Sequence, residues 1–119
     1  MRFVWVALGG ATGSVLRYAI GISTRQTLFP WTTLFINVSG SFVLGLLLTW
    51  ALGRVPVSVT TPISVGVLGG FTTFSAFAWE AFFLGRSGRV GLAFLYVLVS
   101  VVGGVGAAWF GYKIGQSIR

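Results

Sequence analysis

The sequence contains neither cysteine nor histidine, and Glu80 is its only acidic residue. Disulfides, thiolate chemistry and the commonest metal ligands are therefore excluded, and so is a hydrolase that needs two carboxylates. Charged residues make up 8% of the chain, against roughly a quarter in a soluble domain. Hydrophobic residues make up 55%. Because too little polar surface is left to cover a globule in water, the composition indicates a membrane protein.

The net charge of +7 comes from eight basic residues and one acid. In a soluble protein such an excess suggests nucleic-acid binding. Here the basic residues stand singly between apolar runs, so we expect no nucleic acid as a partner, and the lipid bilayer instead. The 119 residues, 1–119, are expected to form a single transmembrane domain.

Four continuous apolar runs have about the 20 residues needed to cross the hydrocarbon core. They extend from about Phe3 to Ile22, Thr33 to Leu52, Pro62 to Leu84 and Val90 to Tyr112. A transmembrane β-barrel would instead need alternating segments of about ten residues. The sequence therefore predicts an all-α integral membrane protein with four transmembrane helices.

The basic residues outside these spans are almost evenly divided between the two sides of the membrane. The side with both termini carries four and the other side three, namely Arg2, Arg54, Lys113 and Arg119 against Arg25, Arg86 and Arg89. So small a bias barely selects an orientation under the positive-inside rule. We therefore expect dual topology, with copies inserted both ways and paired as an antiparallel homodimer. A single orientation set by other signals is the alternative.

Glycines recur four residues apart in three of the spans, at Gly9 and Gly13, Gly66 and Gly70, and Gly111 and Gly115. Small residues at this spacing let helix backbones approach closely. We therefore expect tightly packed helices, within or between chains.

Polar residues follow one face of the second span and one face of the fourth. Thr33, Asn37 and Ser41 are four apart, as are Tyr96 and Ser100, and residues four apart share a helix face. These side chains offer N–H and O–H donors without negative charge, which suits a small anion better than a cation. Hydrogen bonds that hold helices together are the alternative explanation.

Arg17 lies about fifteen residues into the first span. A lone arginine at this depth costs a few kcal/mol or more unless it meets water, an anion or a carbonyl. It therefore also points to an anion, unless the side chain snorkels to the nearer interface.

The third span is expected to be broken between Gly69 and Thr73, because paired glycines followed by paired threonines are poor helix material. Carbonyls freed at such a break can bind a cation. A continuous helix with threonine hydroxyls bonded to the preceding turn is the alternative. Phe74 and Phe77 follow directly, and the positive edge of a phenylalanine ring can face an anion.

Together these segments resemble the CrcB/Fluc family of bacterial fluoride channels over essentially the whole chain. The resemblance rests on Gly9–Gly13 with Arg17 and Tyr18, on Thr33–Phe42, on Gly69–Phe77, and on Tyr96 and Ser100. It implies a multi-pass protein of the bacterial inner membrane that conducts fluoride passively and is not an enzyme. It also implies two pores in an antiparallel homodimer.

The resemblance gives individual residues a role. Phe74 and Phe77 would turn ring edges toward fluoride, Asn37 would supply an amide donor, and Gly104 would shorten the polar track of the fourth span. The fluoride-binding or pore residues so indicated are Arg17, Thr33, Asn37, Ser41, Phe74, Phe77, Tyr96 and Ser100, with Arg17 in the entry vestibule. A structural sodium ion would lie at the dimer centre on the backbone carbonyls of Gly69 and Thr72.

Two other classes of protein share features of this sequence. A small proton-coupled drug exporter also has four spans and dual topology, but it needs a carboxylate in the first span, and this span has none. A non-transporting assembly subunit or holin-like pore would not need donor stripes in two spans and a glycine break in a third.

Overall fold

The computed structural model describes every residue from Met1 to Arg119 and consists of helices joined by short loops. The helices are α1 (Arg2–Ser23), α2 (Trp31–Ala51), α3 (Val57–Thr61), a π-helical segment (Pro62–Leu68), α4 (Gly69–Phe71), α5 (Phe74–Arg86) and α6 (Val90–Ser117). Helix α1, helix α2, the combined stretch Val57–Arg86 and helix α6 are each long and apolar enough to cross a membrane. The prediction of an all-α protein with four transmembrane helices is confirmed. Residues 57–86 are called the third span below.

The observed bounds differ from the predicted ones chiefly in the third and fourth spans. The third span begins at Val57, five residues before Pro62, and α6 continues to Ser117, five residues beyond Tyr112. Pro62 therefore lies inside the span, as the first residue of the π-helical segment. Its ring would clash with the carbonyl four residues earlier in a regular α-helix, and a π-helical turn is wider.

Glycines bring α1 against the first half of the third span. A Cβ atom added to Gly9 would lie 2.5 Å from the carbonyl oxygen of Pro62 and 3.2 Å from Cα of Gly66. One added to Gly70 would lie 2.5 Å from the carbonyl oxygen of Gly10. Only residues without a side chain fit such a contact, because backbone atoms cannot move aside.

A second tight pair joins α2 and α6. A Cβ atom added to Gly111 would lie 2.8 Å from the backbone nitrogen of Leu46, and one added to Gly115 would lie 2.8 Å from Cβ of Thr49. The predicted close packing at the glycine pairs is thus confirmed, and it acts within the chain.

The third span changes partners halfway along. Its first half, up to Phe71, packs against α1, and its second half, α5, packs against α6. The chain is consequently a slab of 49 × 31 × 21 Å. The point at which the partner changes is where most of the predicted site residues meet.

Candidate anion site at the broken helix

The break in the third span is confined to Thr72 and Thr73. Both residues are extended, with φ −78° and ψ 155° at Thr72 and φ −146° and ψ 120° at Thr73. They fall at the middle of the 30-residue span. The predicted break is confirmed at the paired threonines, Thr72 and Thr73. Gly69, at the other end of the predicted segment, is helical, with φ −65° and ψ −36°.

The side chain of Asn37 on α2 fills this break. Its Nδ2 donates to the carbonyl oxygen of Thr73 at 2.9 Å, and the backbone nitrogen of Thr73 donates to its Oδ1 at 2.8 Å. The hydroxyl of Thr73 in turn accepts from the backbone nitrogen of Ala76 and caps the start of α5. The break is therefore held by hydrogen bonds on both sides.

A groove of about 330 Å³ opens beside the break, between α2, the third span and α6. Its lining includes most of the predicted site residues: Asn37, Ser41, Gly69, Thr72, Phe74, Phe77, Ser100 and Gly104. The structure thus brings together the donor stripes of two spans, the phenylalanines and the two residues proposed to bind sodium. Thr33, Tyr96 and Arg17 lie outside this groove.

The hydrogen-bond donors in the groove are not equally free. Ser41 Oγ donates to the carbonyl oxygen of Asn37 at 2.7 Å. Ser100 Oγ is buried without a partner. Asn37 Nδ2 carries two hydrogens, and Thr73 takes one of them. Ser100 Oγ and the second amide hydrogen of Asn37 therefore have no hydrogen-bond partner within the chain.

The aromatic rings form a short series from the groove into the core. Phe74 and Phe77 have ring centroids 5.8 Å apart, and Phe77 meets Tyr96 edge-on at 5.2 Å. Phe74 is 78% exposed on the open side of the groove, whereas Phe77 is half-buried. Phe77 therefore links the groove to the buried ring of Tyr96.

Tyr96 is the only large side chain that is fully buried. Its ring packs between Phe29 and Phe77, and its hydroxyl has no hydrogen-bond partner within the chain. Tyr96 Oη and Ser100 Oγ are the two buried side-chain polar atoms without a partner. They lie four residues apart on the same face of α6. Buried polar groups are normally paired, so an unpaired couple in one place requires a reason.

Thr33 does not face the groove. Its hydroxyl donates to Glu80 Oε1 at 2.7 Å, so the only carboxylate of the chain accepts from a threonine rather than pairing with an arginine. Sequence reasoning left Glu80 out of the site. The available signal was spacing, because Glu80 follows Phe77 by three residues on α5 and therefore shares its face.

Arg17 lies on the opposite side of the break, in a separate cavity of about 310 Å³. Ser14, Thr32, Thr33 and Thr73 supply hydroxyl groups to the lining of this cavity, and no carboxylate lines it. A guanidinium beside neutral hydroxyls favours an anion or water in the cavity. Thr73 lines both this cavity and the groove.

Residues 4–112 match the family described as CrcB-like protein, Camphor Resistance (CrcB). The chain belongs to the CrcB family. Similar proteins include one from Thermus thermophilus, which is 45% identical over 121 residues, covering 98% of this chain and 97% of the relative. Relatives from Agrobacterium fabrum, at 41% over 95% and 94%, and Magnetococcus marinus, at 44% over 99% and 100%, are comparable. All three relatives are named fluoride-specific ion channel FluC.

The break also leaves a backbone carbonyl of this CrcB-family chain without a hydrogen bond. The carbonyl oxygen of Thr72 accepts no hydrogen bond from the chain. No cluster of three or more acidic, cysteine or histidine side chains accompanies it. Neutral carbonyl oxygens without carboxylates suit a monovalent cation such as sodium better than Mg²⁺ or Ca²⁺. The residues present therefore fit the sodium ion that the family resemblance implies.

Proposed function

We propose that the chain is a passive, fluoride-selective channel that carries out no chemical reaction. The observation that carries this proposal is the pair of buried, unpaired hydroxyls of Tyr96 and Ser100, with the ring of Phe77 packed against that of Tyr96. In the membrane interior such donors are costly unless a ligand accepts from them. The names of the relatives support fluoride as that ligand.

Fluoride fits this environment because it is small and accepts hydrogen bonds strongly. The anion exchanges hydration water for the free hydrogen of Asn37 and the hydroxyl of Ser100, while the positive ring edges of Phe74 and Phe77 face it. Arg17 attracts the anion toward the break from the other cavity. Ser41 lines the same groove, Thr33 lines the cavity of Arg17, and Tyr96 lies one helical turn before Ser100. These three residues complete the proposed path.

The working unit in this proposal is an antiparallel homodimer with two pores in the bacterial inner membrane. A lone chain leaves Phe74 78% exposed and the Thr72 carbonyl unpaired at the middle of the span. Unpaired backbone does not face lipid at this depth, which favours a second copy over the groove. The even division of basic residues supports the antiparallel arrangement.

A structural sodium ion at the centre of this dimer would be held by the carbonyls of Gly69 and Thr72 from both copies. Both residues line the same groove. The ion would be the positively charged partner that the unpaired carbonyl oxygens lack.

Fluoride and chloride efflux from liposomes tests the proposed function. With purified protein and a potassium ionophore to balance charge, fluoride should be released roughly a hundredfold faster than chloride, or more. The reason is that chloride is larger and a weaker acceptor for the same donors. Protein-free liposomes are the control. Equal rates for the two anions would refute selectivity, and no fluoride release would refute the channel.

Gly104→Ser should fold normally and conduct fluoride within about threefold of the wild type. A Cβ atom at this position would lie 3.7 Å from Ser41 Oγ, which is an ordinary contact, so the added hydroxyl extends the donor stripe without strain. Gly111→Ser is the matched control on the same helix, and should unfold at a lower temperature, because its Cβ would meet the backbone of Phe42. Thermal unfolding and liposome efflux measure the two effects, and equal unfolding temperatures would contradict this assignment.

A further inference from the structure

We propose that Asn37 is a positioning residue that keeps the third span broken and thereby presents the carbonyls of Gly69 and Thr72 to a cation. The inference rests on the proposed function, because that proposal supplies the structural role of the cation. Its structural part rests on hydrogen bonds alone, and the experiment below separates the two.

The side chain of Asn37 takes the place of two helical hydrogen bonds. In a continuous α-helix the N–H of Thr73 would donate to the carbonyl of Gly69, and the carbonyl of Thr73 would accept from the N–H of Phe77. Instead, the N–H of Thr73 donates to Asn37 Oδ1 at 2.8 Å, and its carbonyl accepts from Asn37 Nδ2 at 2.9 Å. One side-chain amide thus satisfies both polar groups of Thr73.

This exchange frees the carbonyl of Gly69. Its ordinary donor four residues later, the N–H of Thr73, is occupied by Asn37. The carbonyl of Thr72 likewise accepts no hydrogen bond from the chain. The residues that the family resemblance assigns to sodium are therefore the ones whose carbonyls the break and its Asn37 bonds leave available.

The alternative to this state is a closed helix. Without the amide, the N–H and carbonyl of Thr73, a buried residue, would be unpaired in the membrane interior, where each unsatisfied group costs several kcal/mol. The chain would lower that cost by returning the N–H of Thr73 to the Gly69 carbonyl. Closure would remove the carbonyl from the cation and turn Phe74, the first residue of α5, away from the groove.

Asparagine is suited to this position by its chemistry. A carboxamide both donates and accepts in one plane, whereas aspartate only accepts. The nitrogen that bonds Thr73 also carries the second hydrogen available to an anion in the groove. The same amide therefore joins the anion path to the cation site.

Asn37→Asp tests the inference, with Ser41→Ala as the matched control from the same helix face. Aspartate keeps the acceptor for the N–H of Thr73 but sets a carboxylate oxygen against its carbonyl. Thermal unfolding is measured in sodium and in N-methylglucamine, with fluoride efflux as the second readout. In the wild type, sodium should raise the unfolding temperature by about 5 °C.

The Asn37→Asp variant should lose more than half of this sodium-dependent shift together with its fluoride efflux, and Ser41→Ala should keep the shift in full. An Asn37→Asp variant that loses efflux but keeps the shift would overturn the inference, because Asn37 would then act on fluoride alone. A wild type that shows the shift but conducts no fluoride would leave the role of Asn37 at the break intact and refute the proposed function instead.

A measurement on the wild-type protein tests the inference even if the Asn37→Asp variant does not fold. Although Thr73 is extended, its backbone amide should exchange hydrogen roughly a hundredfold more slowly than the loop amide of Gly53, because Asn37 holds it. Exchange of Thr73 as fast as that of Gly53 would overturn the inference without any substitution.

Discussion

Replacing Phe77 with leucine should lower fluoride efflux about tenfold or more while the protein stays folded. Leucine keeps most of the apolar volume but has no ring, so it removes the positive edge of a ring that lies 5.2 Å, centroid to centroid, from that of Tyr96. A tenfold loss corresponds to about 1.4 kcal/mol of interaction with the permeating anion. Liposome efflux with equal amounts of monodisperse protein measures it.

Phe82→Leu is the matched control, because Phe82 lies on the same helix, is exposed and does not line the groove. It should conduct at the wild-type rate. Phe77→Ala should be at least as impaired as Phe77→Leu, since it also opens a cavity. Wild-type efflux in Phe77→Leu would show that apolar volume, rather than the ring edge, is what the site requires.

Adding one methyl group at Gly13 should lower the unfolding temperature of the protein strongly. A Cβ atom at this position would meet the carbonyl oxygen of Val67 and lie 2.8 Å from the backbone nitrogen of Phe71. Backbone atoms of a packed helix cannot yield as a flexible side chain can, so Gly13→Ala should cost about 1–3 kcal/mol or more. Thermal unfolding in detergent measures the loss.

Gly21→Ala provides the control on the same helix. A Cβ atom at Gly21 would have nothing within 4 Å, so the substitution should be neutral or slightly stabilising through helix propensity. Equal unfolding temperatures for Gly13→Ala and Gly21→Ala would contradict the tight packing of α1 on the third span.

Hydropathy and spacing were sufficient to predict the four spans and the close contacts of Gly9, Gly66 and Gly111. Both are local properties, because a span needs about 20 apolar residues in a row and a glycine pair needs only its spacing. The same reasoning placed the break in the segment from Gly69 to Thr73, which includes its observed position. It attributed the break to the paired glycines as well as to the paired threonines. Only the threonines are extended, and Gly70 packs against Gly10.

The contacts that shape the site could not be predicted from local sequence patterns. Asn37 bonds Thr73, 36 residues away, and Thr33 bonds Glu80, 47 residues away. Each pair depends on how α2 packs against the third span, which no single segment determines. The sequence correctly predicted that Thr33 and Asn37 share one face of α2. It could not predict that Thr33 donates to Glu80 whereas Asn37 donates to Thr73.

The reversal potential in a planar bilayer tests the central claim, selective conduction of fluoride, most directly. Chloride is kept equal on both sides, and fluoride differs tenfold. A fluoride-selective channel should give a reversal potential of about 60 mV, because a tenfold gradient is about 1.4 kcal/mol and 100 mV is about 2.3 kcal/mol per charge. A reversal potential far below this value would show that chloride carries the current as readily and would contradict the claim.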